Sequence, residues 1–273
     1  MKKLLLILPL LFTILLISCE DSIHVDTDTA APRIVVDALL VWPKGTAGNE
    51  QKIKLTTTGD YYTTDVPPVS GANVTVKNSV GTTFDFIETP NTGEYLCSTF
   101  IPEIDETYTL TIIINGQTLT ATETLKSVVP IDYMAQETTP GIGEEEDQIE
   151  VKTYFTDPEI SDDFYMIRSQ ASISAIPDFD VFDDEFFQGN QVFGLYQNED
   201  LKPGDLLEVT LYGISERYMN YMTKLLNITE SSGPFNTPPA TLRGNITNAT
   251  NPDNYVLGYF NLSETDRKMY TVQ

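Results

Sequence analysis

From Arg33 onward, apolar side chains recur at every second position in short runs that end on Gly, Pro, Asn or Asp. That period places one face of each run in a core and the other in water, as in a half-buried β-strand. It predicts strands over 33–41, 51–57, 73–78, 82–88, 93–98, 107–114 and 117–125. Asn115-Gly116 separates the last two, and this dipeptide readily supplies the positive-φ pair of a tight hairpin turn. Closely spaced strands with no helical stretch among them predict a β-sandwich over 33–126. The Cys…Trp…Cys signature of antibody domains is missing, so packing alone must hold this core.

Ser127–Pro130 reads as a junction. Beyond it, strands are expected over 148–156, 164–174, 206–214, 255–262 and 268–272, with Leu207, Val209 and Leu211 on one face of the third. Ser215 is placed to cap a helix near 215–229, whose Tyr218, Met222, Leu225 and Leu226 form an apolar stripe at helical spacing. An acidic, aromatic stretch over 176–190 reads as a loop. The expected fold class is therefore mainly β: an Ig-like or transthyretin-like sandwich, then a second β-rich module over 127–273 with one packed helix.

The first residues change the picture from fold to address. Lys2 and Lys3 precede an apolar run from Leu4 to Ile17, too short to span a bilayer comfortably and of signal-peptide form. The run closes on Leu16-Ile17-Ser18-Cys19, which resembles the bacterial lipobox. It implies removal of residues 1–18, a covalent lipid on Cys19 and a flexible tether over 19–32. Acyl chains anchor a protein to a membrane without a span, and no other cofactor is expected. Glu20 and Asp21 directly follow the cysteine and resemble the surface-export signal of Bacteroidota lipoproteins. The expected location is the outer membrane, lipid-anchored and facing outward.

Composition mostly excludes. Forty acidic residues against sixteen basic ones give a formal charge of -24. Such a surface repels phosphate backbones, so nucleic acid is not an expected partner. His24, the single histidine, sits in the tether and cannot be preorganised against a nucleophile. Cys97 alternates into a strand and reads as a small buried hydrophobe. Paired carboxylates alone suffice for glycoside hydrolysis, but among forty acids some pair always falls at a suitable distance. The chain is not expected to be an enzyme.

Two clusters remain. Asp178, Asp180, Asp183, Asp184 and Glu185 offer the oxygen ligands that calcium takes, yet they lack the EF-hand spacing and its turn glycine. Glu144, Glu145, Glu146 and Asp147 form a second acidic run, and both runs are also what a solvated face looks like. Phe179, Phe182, Phe186 and Phe187 interleave with the first set. Either they fold back into the second module's core, or they dock onto a partner as aromatic anchors rimmed by charge.

The Val69-Ser-Gly-Ala-Asn-Val-Thr-Val segment, Gly81, Thr92-Gly-Glu-Tyr and Tyr108-Thr-Leu-Thr-Ile resemble transthyretin-like and carboxypeptidase-regulatory-like sandwiches. The order of Arg33-Ile-Val-Val-Asp-Ala, Val128-Val-Pro-Ile-Asp, Phe155-Thr-Asp-Pro, Asp184-Glu-Phe-Phe-Gln-Gly, Ile214-Ser-Glu-Arg-Tyr, Gly244-Asn-Ile and Leu257-Gly-Tyr-Phe resembles a narrower group. It is similar to the Bacteroidota lipoprotein family known as domain of unknown function 4249. Members are outer-membrane lipoproteins often encoded beside TonB-dependent transporters, with no defining enzymatic activity. The resemblance implies a non-enzymatic accessory subunit of a TonB-dependent nutrient transporter. The alternative is a stand-alone surface lipoprotein that binds glycan, peptide or host protein, and a carboxylate-based hydrolase ranks third.

Overall fold

Strand formation follows the alternation closely in the first hundred residues of the body. A computed structural model describes residues 31–59, 66–140, 148–230 and 242–273. Its first strands are β1 (Ile34–Pro43), β2 (Gln51–Thr57), β3 (Asn73–Asn78), β4 (Thr83–Thr89), β5 (Glu94–Cys97), β6 (Thr107–Ile114) and β7 (Gln117–Thr124). In β6 every second residue, Tyr108, Leu110, Ile112 and Ile114, is buried. Each such side chain contributes on the order of 1.5–3 kcal/mol when fully removed from water. Asn115 and Gly116 both take positive φ, 49° and 73°, as the tight turn between β6 and β7 requires.

The remaining strands are β8 (Ile131–Thr139), β9 (Gln148–Thr156), β10 (Phe164–Ala171), β11 (Asp178–Asp183), β12 (Gln191–Gln197), β13 (Leu206–Ile214), the two-residue β14 (Thr247–Asn248) and β15 (Leu257–Thr271). The helix, α1, runs Glu216–Glu230. Its cap is the expected one, since the Tyr218 N–H donates to Ser215 Oγ at 3.2 Å.

Twelve strands form one curled sheet in the order β11-β10-β13-β15-β1-β2-β5-β4-β3-β6-β7-β14, and β12-β9-β8 form a second. The curl turns at β4, whose first residues pair with β3 and whose last pair with β5. One strand thus serves both layers of a sandwich. Between those layers lies a cluster that includes Val36, Ile53, Val76, Phe84, Tyr95 and Leu110. A second cluster, with Val151, Phe155, Tyr165, Tyr196 and Leu207, joins the three-stranded sheet to β10 and β13. A third packs α1 on the opposite face of β10 and β13 through Met166, Tyr212, Tyr218, Met222 and Tyr259. Strand β13 is therefore buried on both faces, Leu207, Val209 and Leu211 toward one cluster and Tyr212 and Ile214 toward the other.

The fold is mainly β, as the alternation predicts. Details differ. The stretch 176–190 is not all loop: Asp178–Asp183 forms β11 at the sheet edge, paired with β10. Its alternation of Asp with Phe and Val is a strand period that the acidic composition disguised. The two expected closing strands are one, because Ser263, Glu264 and Thr265 between them are buried and bonded rather than a turn. Pro32–Gln273 is one compact unit, and the last strand contributes to all three clusters.

Strand β15 runs parallel to β1 over Leu257–Thr265 and antiparallel to β13 over Thr265–Thr271. Its carboxylates also hold the 127–131 segment. Glu264 accepts the Val128 N–H at 3.0 Å and the Lys44 ammonium at 2.7 Å, and Asp266 accepts the Ile131 N–H at 2.7 Å.

Candidate functional site

The acids and aromatics singled out in the sequence separate once folded. On β11, Asp178 and Asp180 are exposed and line a cleft of about 290 Å³ with Ser169, Gly194 and Tyr196. Phe179 packs toward α1, whereas Phe182 and Phe187 pack on the opposite cluster. Phe182 lies 6.0 Å from Phe155, 5.9 Å from Tyr165 and 6.0 Å from Phe187, ring centre to ring centre. Phe186 alone of the four faces solvent, at 90% exposure. Asp183 is half-buried and Glu185 exposed, with the Glu185 N–H donating to Asp183 at 3.3 Å. Cys19, His24 and the 144–147 acidic run lie outside the described residues.

Among the described residues, Asp184 is the one of the five candidate calcium ligands that joins a carboxylate cluster, and its companions come from the turn between β9 and β10. Ligand oxygens of Asp157, Asp163 and Asp184 lie within 4.8 Å of one another. Asp157 and Asp184 are buried, Asp163 half-buried. The Tyr165 hydroxyl donates to Asp157 at 2.6 Å and the Gly189 N–H at 3.2 Å. Asp184 accepts the Asp163 N–H at 2.9 Å, and Asp163 accepts the Ser161 hydroxyl at 2.6 Å. No ion pair among the described residues touches any of the three.

Burial therefore dominates the electrostatics. It lifts the Asp157 carboxyl above the ordinary range, and the neighbouring Asp184 and Asp163 push the same way against the Tyr165 and Gly189 donors. Burial also raises the Tyr165 hydroxyl far above its usual value, so it stays a donor. Chemically, three convergent oxygens suit a hard cation such as calcium. As they stand, these carboxylates use their oxygens to stitch two loops together, 157–163 to 184–190.

A second feature lies on β8 and β12, two strands that the alternation does not predict. Tyr133, Tyr154 and Phe193 are register partners across β8, β9 and β12. Tyr133 stacks on Tyr154 at 4.5 Å, and Phe193 tilts against Tyr154 at 5.4 Å. Leu195 follows Phe193 on the same face, and Tyr133, Phe193 and Leu195 are each 47% exposed. The result is an aromatic ridge on the outer face of the three-stranded sheet, opposite the buried Val151, Phe155 and Tyr196. Strand β12 hid in the sequence because both of its faces are apolar, which erases the period of two.

Together these features define a mainly β protein, a curled sheet backed by a smaller one, with one helix among the described residues and an exposed aromatic ridge. The chain belongs to the family described as domain of unknown function (DUF4249), whose sequence model matches residues 20–269. No curated protein matches it. Among solved structures it is similar to a two fibronectin type-III domain segment from chicken tenascin. That match has 14% identity over 60% of this chain and 85% of that one, with a TM-score of 0.22. The chicken CNTN1 FN1-FN3 domains match at 13% identity over 67% of this chain and 60% of that one, with a TM-score of 0.26.

Proposed function

We propose that this chain is a non-enzymatic Bacteroidota lipoprotein, anchored through Cys19 to the outer membrane and facing outward, that docks as an accessory subunit onto a TonB-dependent nutrient transporter. The observation that carries the docking is the ridge of Tyr133, Tyr154 and Phe193 with Leu195 beside it. Exposed tyrosine and phenylalanine on a rigid sheet are residue types enriched at protein interfaces, and Leu195 extends the apolar area beside them. Tyr133 and Tyr154 turn their faces onto each other, 18° from parallel, which leaves edges rather than flat platforms for a partner. That favours a protein surface over sugar rings, which stack on exposed ring faces. The anchor rests on the lipobox, and the transporter on the family resemblance.

The test is affinity purification of the tagged protein from outer membranes in mild detergent, with mass spectrometry of its companions. A stoichiometric transporter, lost when Tyr133, Tyr154 and Phe193 are changed to Ser, is the expected result. Labelled fatty acid should enter the protein and fail to enter the Cys19→Ala variant. A lipidated, folded protein that comes out alone would refute the accessory reading.

A further inference from the structure

Lys44, Lys52, Lys126, Lys152, Arg168 and Arg267 each face a carboxylate. Arg217, Lys224 and Arg243, like Arg33, Lys54, Lys77, Lys202 and Lys268, form no ion pair among the described residues. What sets Arg217, Lys224 and Arg243 apart is that they line one cavity of about 410 Å³, together with Glu216, Asn220, Tyr221, Leu242, Gly244 and Tyr259. Volumes of this order suit small-molecule ligands, roughly 300–1,000 Å³.

The wall is built by helical periodicity. Arg217, Asn220, Tyr221 and Lys224 stand at i, i+3, i+4 and i+7, one stripe of α1. Arg243 rises from the opposite side, where the Tyr255 ring orients it. The Arg243 guanidinium carbon lies 4.1 Å from that ring's centre, and the Arg33 guanidinium carbon lies 3.6 Å from the same ring. The floor is aromatic: Tyr221 and Tyr259 are 4.7 Å apart, with Tyr218 behind them at 4.9 Å from Tyr259. Among the described residues Glu216 is the one carboxylate on the lining, against three cations, a net charge of +2. Glu123 lies beyond Tyr259, buried and already bonded by the Tyr259 hydroxyl at 3.3 Å and the Thr124 N–H at 3.1 Å.

We propose that this cavity binds a small organic phosphate, a phosphate monoester whose oxygens meet Arg217, Lys224 and Arg243 and whose organic part rests on Tyr221 and Tyr259. A phosphate monoester carries about -1.5 to -2 at neutral pH, which balances the lining charge. Guanidinium forks match phosphate oxygens in pairs, and the ammonium adds a point charge. In so acidic a protein the general field repels anions, so only a local concentration of cations such as this one holds them. The site does not depend on the transporter reading and stands if that reading fails.

Phenyl phosphate is the probe, titrated calorimetrically into the full chain in mild detergent. Saturable binding is expected, with inorganic phosphate weaker because it lacks the ring. Arg217→Gln combined with Lys224→Gln should weaken phenyl phosphate about tenfold or more, the scale of lost charge-assisted bonds. Both side chains are exposed, so the urea midpoint should hold; should the double variant unfold, Arg243→Gln carries the same comparison from the other wall. Vesicles of phosphatidylcholine with and without phosphatidic acid identify the natural source. Displacement of phenyl phosphate by phosphatidic acid alone assigns a lipid headgroup, and no displacement assigns a soluble phosphate. No binding at millimolar phenyl phosphate, binding that ignores these substitutions, or equally tight binding of the dicarboxylate succinate would overturn the proposal.

Discussion

The interior between β1–β7 and the interior beneath the three-stranded sheet are closed by different means. The first is filled by alternating apolar side chains from strands that turn sharply into one another, and a buried polar group there, Gln51, is spent on the backbone of Val41 and Gly48. The second leans on acids. Asp157 and Asp184 are buried at its margin, and their oxygens hold loops rather than strands. A core of the first kind is sensitive to volume, one of the second kind to charge and protonation. What joins them is β15, apolar toward the first interior through Phe260 and Leu262 and carboxylate-bearing where it meets the 127–131 segment.

The largest effect is expected where both regions depend on one backbone contact. Gly258 has φ +91°, and a Cβ there would sit 2.0 Å from the Val36 carbonyl oxygen, its register partner on β1. Backbone cannot move aside as a flexible side chain can. Gly258→Ala is expected to cost more than about 4 kcal/mol, the range reserved for named backbone or core failures. Urea unfolding followed by tryptophan fluorescence, through Trp42, and by far-ultraviolet circular dichroism should show both regions lost together. A variant that unfolds one region and leaves the other intact would show that the two interiors do not share β15 in the way the pairing implies.

This contrast also explains what the sequence disclosed. Strands β2, β3 and β6 are legible to the residue because Ile53, Val76 or Leu110 alternates with polar neighbours. The capping Ser215 and the stripe of Tyr218 and Met222 were equally local. Asp157 and Asp163 gave no such signal, because their partner Asp184 lies more than twenty residues away and only the adjacency of two loops unites them. Tyr133 was hidden for a different reason. Strand β8 has a register shift between Ile131 and Tyr133, which breaks the alternation where it would have been noticed. Arg243 and Arg217 likewise meet only in three dimensions.

A middle-sized effect sharpens the role of the joining strand. Glu264 is buried, and its carboxylate satisfies the Val128 N–H, itself in a buried residue, as well as Lys44. Glu264→Ala leaves that N–H without its partner and should cost about 1–3 kcal/mol. Glu264→Gln keeps an acceptor oxygen and should cost less. Equal losses in the two variants, measured as shifts in the urea midpoint, would place the effect in the Lys44 ion pair instead.

The smallest effect is the one that most directly opposes the two regions, because its sign differs between them. In the first, Glu88 accepts the Gly71 N–H at 2.8 Å, which with the Ser70 hydroxyl holds its carboxyl below the ordinary value. Glu106 is held low in the same way by Ser79. A lowered carboxyl contributes stability that is present above its unfolded pKa and lost as pH falls through the folded one. In the second region Asp157 is raised, mainly by burial, so its native form binds protons more readily than the unfolded chain. Its contribution is present at acid pH, below the unfolded pKa, and declines as pH rises through the raised folded value. On acidification from pH 7 toward pH 4 and below, wild type should therefore lose its advantage over Glu88→Gln while gaining relative to Asp157→Asn. Thermal midpoints of the three chains across that range decide it. Two gaps that move in the same direction would mean that Asp157 is stabilised as a carboxylate after all, by a bound cation rather than by Tyr165 and Gly189 alone. Repeating the series with excess chelator separates that case, since removing a bound cation would restore the opposite signs.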